Sequence, residues 1–119
     1  MSTIRVESHR NFKDDDVVLL ALDTEGASVF AGALGDAIQA KGTIVHVPSE
    51  TSTNLIVVGG RDARVEVQPG RVTWHLSEAK AAEILEKLVS MQQSSKPGHH
   101  YIDIDGPCDT LIVSQNEYL

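Results

Sequence analysis

Residues 97 to 119 read Pro97-Gly98-His99-His100-Tyr101-Ile102-Asp103-Ile104-Asp105-Gly106-Pro107-Cys108-Asp109-Thr110-Leu111-Ile112-Val113-Ser114-Gln115-Asn116-Glu117-Tyr118-Leu119. Ile102 and Ile104 alternate with Tyr101, Asp103 and Asp105, and a period of two marks a strand with one dry and one wet face. Asp105 to Asp109 carries a Gly-Pro turn. Thr110 to Ser114 is a short apolar run that reads as the returning strand. The chain therefore closes on a hairpin of roughly Tyr101 to Ile104 and Thr110 to Ser114. This stretch holds two of the five histidines, the only cysteine and both tyrosines.

Working back from it, Ser77 is a helix cap, and Ala81, Ile84, Leu85, Leu88 and Met91 follow at helical spacing. Ahead of that helix lie four short strand signals, Thr43 to Val47, Asn54 to Val58, Ala63 to Gln68 and Arg71 to Leu76. Their short separations predict antiparallel neighbours. A tight turn at Pro69-Gly70 would set Val65 opposite Trp74 and Val67 opposite Val72, with Trp74 in the core. Further back, Asp23 or Thr24 caps a first helix that stops at Lys41-Gly42, with Gly32 and Gly35 one turn apart as a close-packing stripe. Val17 to Leu22 is a continuous apolar run, expected of a strand buried on both faces. Ile4 and Val6 give a weak edge strand, and His9 to Asp16 reads as a polar loop. No internal repeat is visible. The expected architecture is α+β: one mainly antiparallel sheet of about six to eight short strands carrying two amphipathic helices, a single domain over residues 1–119.

Aromatic residues make up only 4 % of the 119 residues, so the core must be aliphatic. Seventeen acidic side chains against ten basic ones give a formal charge of -7. That charge opposes binding to nucleic acid or to an anionic membrane surface, and it favours encounter with a basic partner. A lone cysteine forms no internal disulfide, which fits a reducing compartment. With no apolar signal core and no apolar run near the ~20 residues that span a bilayer, the expected location is the cytoplasm.

The chain is poor in catalytic motifs. Leu22-Asp23-Thr24-Glu25-Gly26 lacks the glycine and lysine pattern of a phosphate loop. Cys108 sits among Asp103, Asp105 and Asp109, which raise a thiol pKa rather than lower it. Asp14-Asp15-Asp16 invites a metal reading, yet consecutive side chains do not converge without a folded loop. His99, His100, Asp103 and Asp105 form the one cluster with metal-ligand chemistry, although adjacent histidines on a strand point to opposite faces. No catalytic residue, resident metal or cofactor is therefore expected.

Gly98-His99-His100-Tyr101-Ile102-Asp103, followed by Leu111-Ile112-Val113-Ser114-Gln115-Asn116-Glu117-Tyr118, resembles the tail of small bacterial polymorphic-toxin immunity proteins. Those often end on a Gly-His-x-Tyr-x-Asp strand and a final strand closing in Ser-x-x-Glu-Tyr. The likeness covers the last fifth of the chain. It implies a cytosolic α+β protein that neutralises a cognate toxin domain by binding it, without catalysis or a cofactor. An acidic face suits such a role, because carboxylates can meet the Arg and Lys side chains of a nuclease cleft. Asp14, Asp15, Asp16, Glu50, Asp103, Asp105 and Glu117 are the candidate charges, with His99, Tyr101 and Tyr118 adding contact area. Two other readings stay open: a small metal-dependent enzyme or metal-binding protein using His99, His100, Asp103 and Asp105, and a homodimer formed through an exposed strand edge.

Overall fold

The computed structural model describes residues 3–12, 15–49, 52–94 and 96–117, with the backbone alone for residues 10–12 and 15. Ten elements follow one another among these residues. They are β1 (Ile4–Phe12), β2 (Asp15–Leu22), α1 (Thr24–Gln39), β3 (Val45–Pro48), β4 (Thr53–Val58), β5 (Arg64–Gln68), β6 (Arg71–Leu76), α2 (Glu78–Gln92), β7 (Gly98–Asp103) and β8 (Thr110–Gln115). The fold is α+β, with the two expected helices.

The strands form two sheets where one was expected. Sheet A has the order β1-β2-β8-β7 and sheet B the order β3-β4-β6-β5. The outer pairs of each sheet are antiparallel, but the central pairs, β2 with β8 and β4 with β6, are parallel. The short link after β4 therefore does not lead to a neighbour. Apolarity decides the order. β6 brings Val72, Trp74 and Leu76 and takes the centre, while β5, with exposed Arg64 and Gln68, is left at the edge. Within the β5–β6 hairpin the expected register holds: Val65 faces Trp74, Val67 faces Val72 and Gln68 faces Arg71. Gly70, at a φ of 75°, supplies the left-handed residue that this two-residue turn needs. In sheet A, the polar stretch His9–Phe12 is strand rather than loop, and β1 and β2 form a hairpin with a register break between His9 and Phe12.

The two sheets are topological copies of one another. Replacing β1, β2, α1, β3 and β4 by β5, β6, α2, β7 and β8 turns the order of one sheet into that of the other. Each half is a ββαββ unit, and each sheet takes two strands from each half. A trace survives in sequence: Arg5-Val6-Glu7 and Arg64-Val65-Glu66 occupy matching edge positions, with Glu7 facing Leu19 and Glu66 facing Thr73. The repeat is only three residues long in sequence, which is why no repeat was visible.

One core joins both sheets and both helices, and it includes Val18, Leu20, Phe30, Leu34, Ile56, Trp74, Ile84, Leu88 and Leu111, all fully buried. Each large apolar side chain so buried contributes about 1.5–3 kcal/mol. Phe30 of α1 meets Trp74 of β6 edge-on, with ring centroids 5.1 Å apart. The Trp74 Nε1–H donates to Asn54 Oδ1 at 3.0 Å, and Asn54 Nδ2 donates to the Val47 carbonyl at 3.3 Å, so the polar atoms of this aromatic contact are satisfied. Asp23 caps α1 by accepting from the Gly26 N–H at 2.6 Å, and it also accepts from the Thr3 N–H at 3.0 Å. Burial pushes the Asp23 carboxyl up, but the hydrogen bonds from Thr3 and Gly26 outweigh it and hold the group below its ordinary value. Gly26 is the close approach in α1, since a Cβ there would run into the Thr3 carbonyl. Gly32 and Gly35 border open space and are not the packing stripe expected of them.

If each sheet needs strands from both halves, neither half should fold alone. A chain cut between Gly60 and Arg61 in the exposed β4–β5 link should yield two fragments that are each unfolded by circular dichroism. They should recover the intact spectrum on mixing. A fragment that folds by itself would refute the interleaved arrangement.

Candidate functional site

Sheet A has two faces. Val18, Leu20 and Leu22 turn to the main core, while Val17, Leu19 and Ala21 turn away with Ile112 as a second, smaller buried cluster. Cross-strand register places the rest of that outer face. On one side of the cluster, Arg5, Glu7 and His9 of β1 stand opposite Ala21, Leu19 and Val17. On the other, His99, Tyr101 and Asp103 of β7 stand opposite Ser114, Ile112 and Thr110. The centre is apolar through Val17, Leu19 and Ala21 of β2 and Ile112 of β8. The rims are polar because β1 and β7 are edges, and their long side chains flank the apolar row.

Each rim is held by its own contacts. Glu7 accepts from Arg5 Nε at 3.3 Å and pairs with His9 Nε2 at 3.1 Å. Across the sheet, His99 Nδ1 meets Glu117 Oε1 at 2.7 Å, and its ring stands perpendicular to that of Tyr101 at 5.3 Å. Tyr101 is 55 % exposed, the most open large apolar side chain among the described residues. Among the described residues three carboxylates, Glu7, Asp103 and Glu117, share the face with one guanidinium, Arg5. The face is thus acidic with an aromatic projection. It offers a protein partner an apolar, partly aromatic centre and a charged rim, the usual anatomy of an interface.

Of the candidate residues, His99, Tyr101, Asp103 and Glu117 converge on this face, whereas Asp16 and Asp105 turn elsewhere. Asp105 lies past the end of β7, where its Oδ2 accepts from the Ala63 N–H at 2.6 Å and its own N–H donates to the Ala63 carbonyl at 2.7 Å. Its carboxylate fastens the closing loop to β5, a structural role in place of a contact role. Asp16 is exposed and borders a cleft of about 200 Å³ between the sheets, with Ser8, Val18, Val65, Val67, Pro107 and Cys108. Asp15 opens β2 opposite Phe12. Asp14, Glu50 and Tyr118 lie outside the described residues. Glu7, Arg5 and His9 were missed, although the Ile4-Arg5-Val6-Glu7 alternation already put them on one face.

The cluster behind the metal reading is divided. His99 is on the outer face of β7, His100 on the inner face, and the Asp105 carboxylate is engaged with Ala63. Among the described residues no group of three or more His, Cys, Asp or Glu side chains is placed to hold a metal ion. No helix among them is long and apolar enough to cross a membrane.

The class defined here is an α+β protein of two interleaved mixed sheets with one acidic, partly aromatic sheet face. No family model and no curated protein matches the sequence. Among solved structures the fold is similar to the crystal structure of Drosophila Suppressor of Fused, with a TM-score of 0.57 and 11 % identity over 97 % of this chain and 26 % of that one. The chain thus spans about a quarter of the length of that protein, and at this identity the likeness concerns the fold alone.

Two measurements probe the strands β7 and β8 that carry the face. Ser114, across from His99, is fully buried, and its Oγ has no hydrogen-bond partner among the described residues. Removing an orphaned buried hydroxyl relieves a desolvation cost, so Ser114→Ala should raise stability by about 1 kcal/mol in denaturant unfolding. A loss of similar size would reveal a partner for the hydroxyl. His100, half-buried on the inner face, has its pKa lowered from 6.5 by burial and then by the positive charges of Lys87 and His99. The folded protein therefore resists protonation that the unfolded chain accepts, and stability should fall as pH drops below 6.5. His100→Gln should flatten the change in melting temperature between neutral and mildly acidic pH. An unaltered slope would assign the effect to other groups.

Proposed function

We propose that the protein is a non-enzymatic binding protein of the bacterial immunity type, which neutralises a cognate toxin domain by covering a basic surface with the outer face of sheet A. The observation that carries this reading is the gathering of His99, Tyr101, Asp103 and Glu117 on one sheet face. These four also belong to the tail that resembles immunity proteins. Glu7 from the opposite rim extends the acidic surface. Tyr101 is the natural anchor, since an exposed aromatic beside buried apolar residues desolvates at low entropic cost. The carboxylates would act mainly on encounter, where complementary charge raises the association rate more than the final affinity. The cytoplasm, where such a toxin would be met, fits a chain with a single cysteine and hence no internal disulfide.

The test is affinity capture of the tagged protein from its source cells, followed by binding kinetics with the recovered domain. A basic partner bound in equal amount is expected. Its association rate should fall with added salt, and by roughly tenfold in a Glu7→Lys/Glu117→Lys variant. A partner whose association rate is indifferent to both changes would remove the acidic face from the interface.

A further inference from the structure

The two sheets present four edge strands, and three of them are managed against further pairing. β3 is four residues long and ends at Pro48, which has no N–H to offer. β5 is partly capped by the closing loop. The Val65 N–H donates to the Gly106 carbonyl at 3.0 Å, and Arg64 bridges Gly106. β1 carries the register break between His9 and Phe12 and lies in contact with β5. β7 has none of these devices. Its six residues, Gly98–Asp103, pair with β8 in unbroken register and contain no Pro, Lys or Arg. Among the described residues, β8 is the only backbone partner of its N–H and C=O groups. A regular, uncapped edge is a template for another strand.

The side chains of β7 select the strand that fits. We infer that β7 pairs antiparallel with β7 of a second copy of this chain, joining two sheets A into one eight-stranded sheet. An isologous pair places one residue on the two-fold axis, and opposed residues must share a face. With Tyr101 on the axis, His99 lies opposite Asp103 of the partner subunit, and Asp103 lies opposite His99 of the partner subunit. The register thus creates two complementary His–Asp pairs and a Tyr–Tyr contact on the outer face. On the inner face it sets His100 against Ile102 of the partner subunit. The His99 ring is held on the outer face by its Nδ1 contact with Glu117 at 2.7 Å. Shifting the register by two residues would break the match by placing Asp103 against Tyr101 of the partner subunit. A six-residue edge is a small interface, so the dimer is weak and depends on concentration. It extends the outer face across the two-fold axis, and it does not depend on the toxin-binding reading.

Sedimentation equilibrium of the full chain over a concentration series up to millimolar should show reversible association from 12.9 kDa to twice that mass. Hydrogen exchange should show the amides of residues 98–103 becoming more protected as concentration rises. Tyr101→Lys puts like charges on the axis and should weaken the dimer on the order of tenfold or more, with an unchanged circular dichroism spectrum. Asp103→Lys, which places an amine against His99 of the partner subunit, should act in the same direction. A chain that stays monomeric throughout would overturn the inference. So would a dimer whose affinity both variants leave intact, or whose formation leaves the exchange of residues 98–103 unchanged.

Discussion

The parallel pairing of β2 with β8 is the constraint on which the molecule depends. It joins the strand before the first helix to the last strand of the chain, and the equivalent pairing of β4 with β6 closes the second sheet. Without these two ladders the halves would be separate hairpins and helices. Each ladder runs over six residue pairs, so most backbone groups of the four central strands find partners inside the sheet. The helices follow from it. Asp23 and Ser77 sit directly after β2 and β6, and each caps the helix that carries the chain over the core. The cost of closing such long loops grows only slowly with their length. The reward is a core in which Val18, Leu111, Trp74 and Ile56 all lie at full burial.

Much of this was legible in the residues. The continuous run Val17–Leu22 does sit centrally in its sheet, both helix caps are where the Asp and Ser predicted them, and the β5–β6 register is the expected one. These succeeded because they rest on local periodicity and cap chemistry. Strand order failed because it is not local. The short link after β4 favours its nearest neighbour in sequence, but the more apolar β6 displaces β5 from that place. The β1–β2 hairpin was hidden by polarity: His9–Phe12 is at a sheet edge, where polar residues are tolerated, so its composition reads as loop.

The candidate face divides in the same way. His99, Tyr101, Asp103 and Glu117 could be grouped from sequence because β7 carries three of them and the fourth lies just past its hairpin partner β8. Glu7 and Arg5 could not, because they join the face only through β1 pairing with β2. Asp105 looked equivalent to Asp103 by alternation, yet the strand ends between them. One carboxylate remains on the sheet face and the other turns to the Ala63 N–H. A period of two predicts shared exposure only while the ladder continues.

The duplication sharpens what is particular to sheet A. Matching positions on the outer face of sheet B keep the Arg and Glu of the edge strand but change the centre. Where sheet A has Val17, Leu19 and Ala21, sheet B has Arg71, Thr73 and His75, and Ser114 is matched by Val57. Opposite the apolar row, His99, Tyr101 and Asp103 have only His46 and Pro48 as counterparts within the much shorter β3. The shared fold therefore accounts for a polar rim on both sheets. It does not account for an apolar centre beside an exposed tyrosine and paired carboxylates, which sheet A has alone. Features a fold imposes should recur in both sheets; those found in one sheet need a cause other than folding.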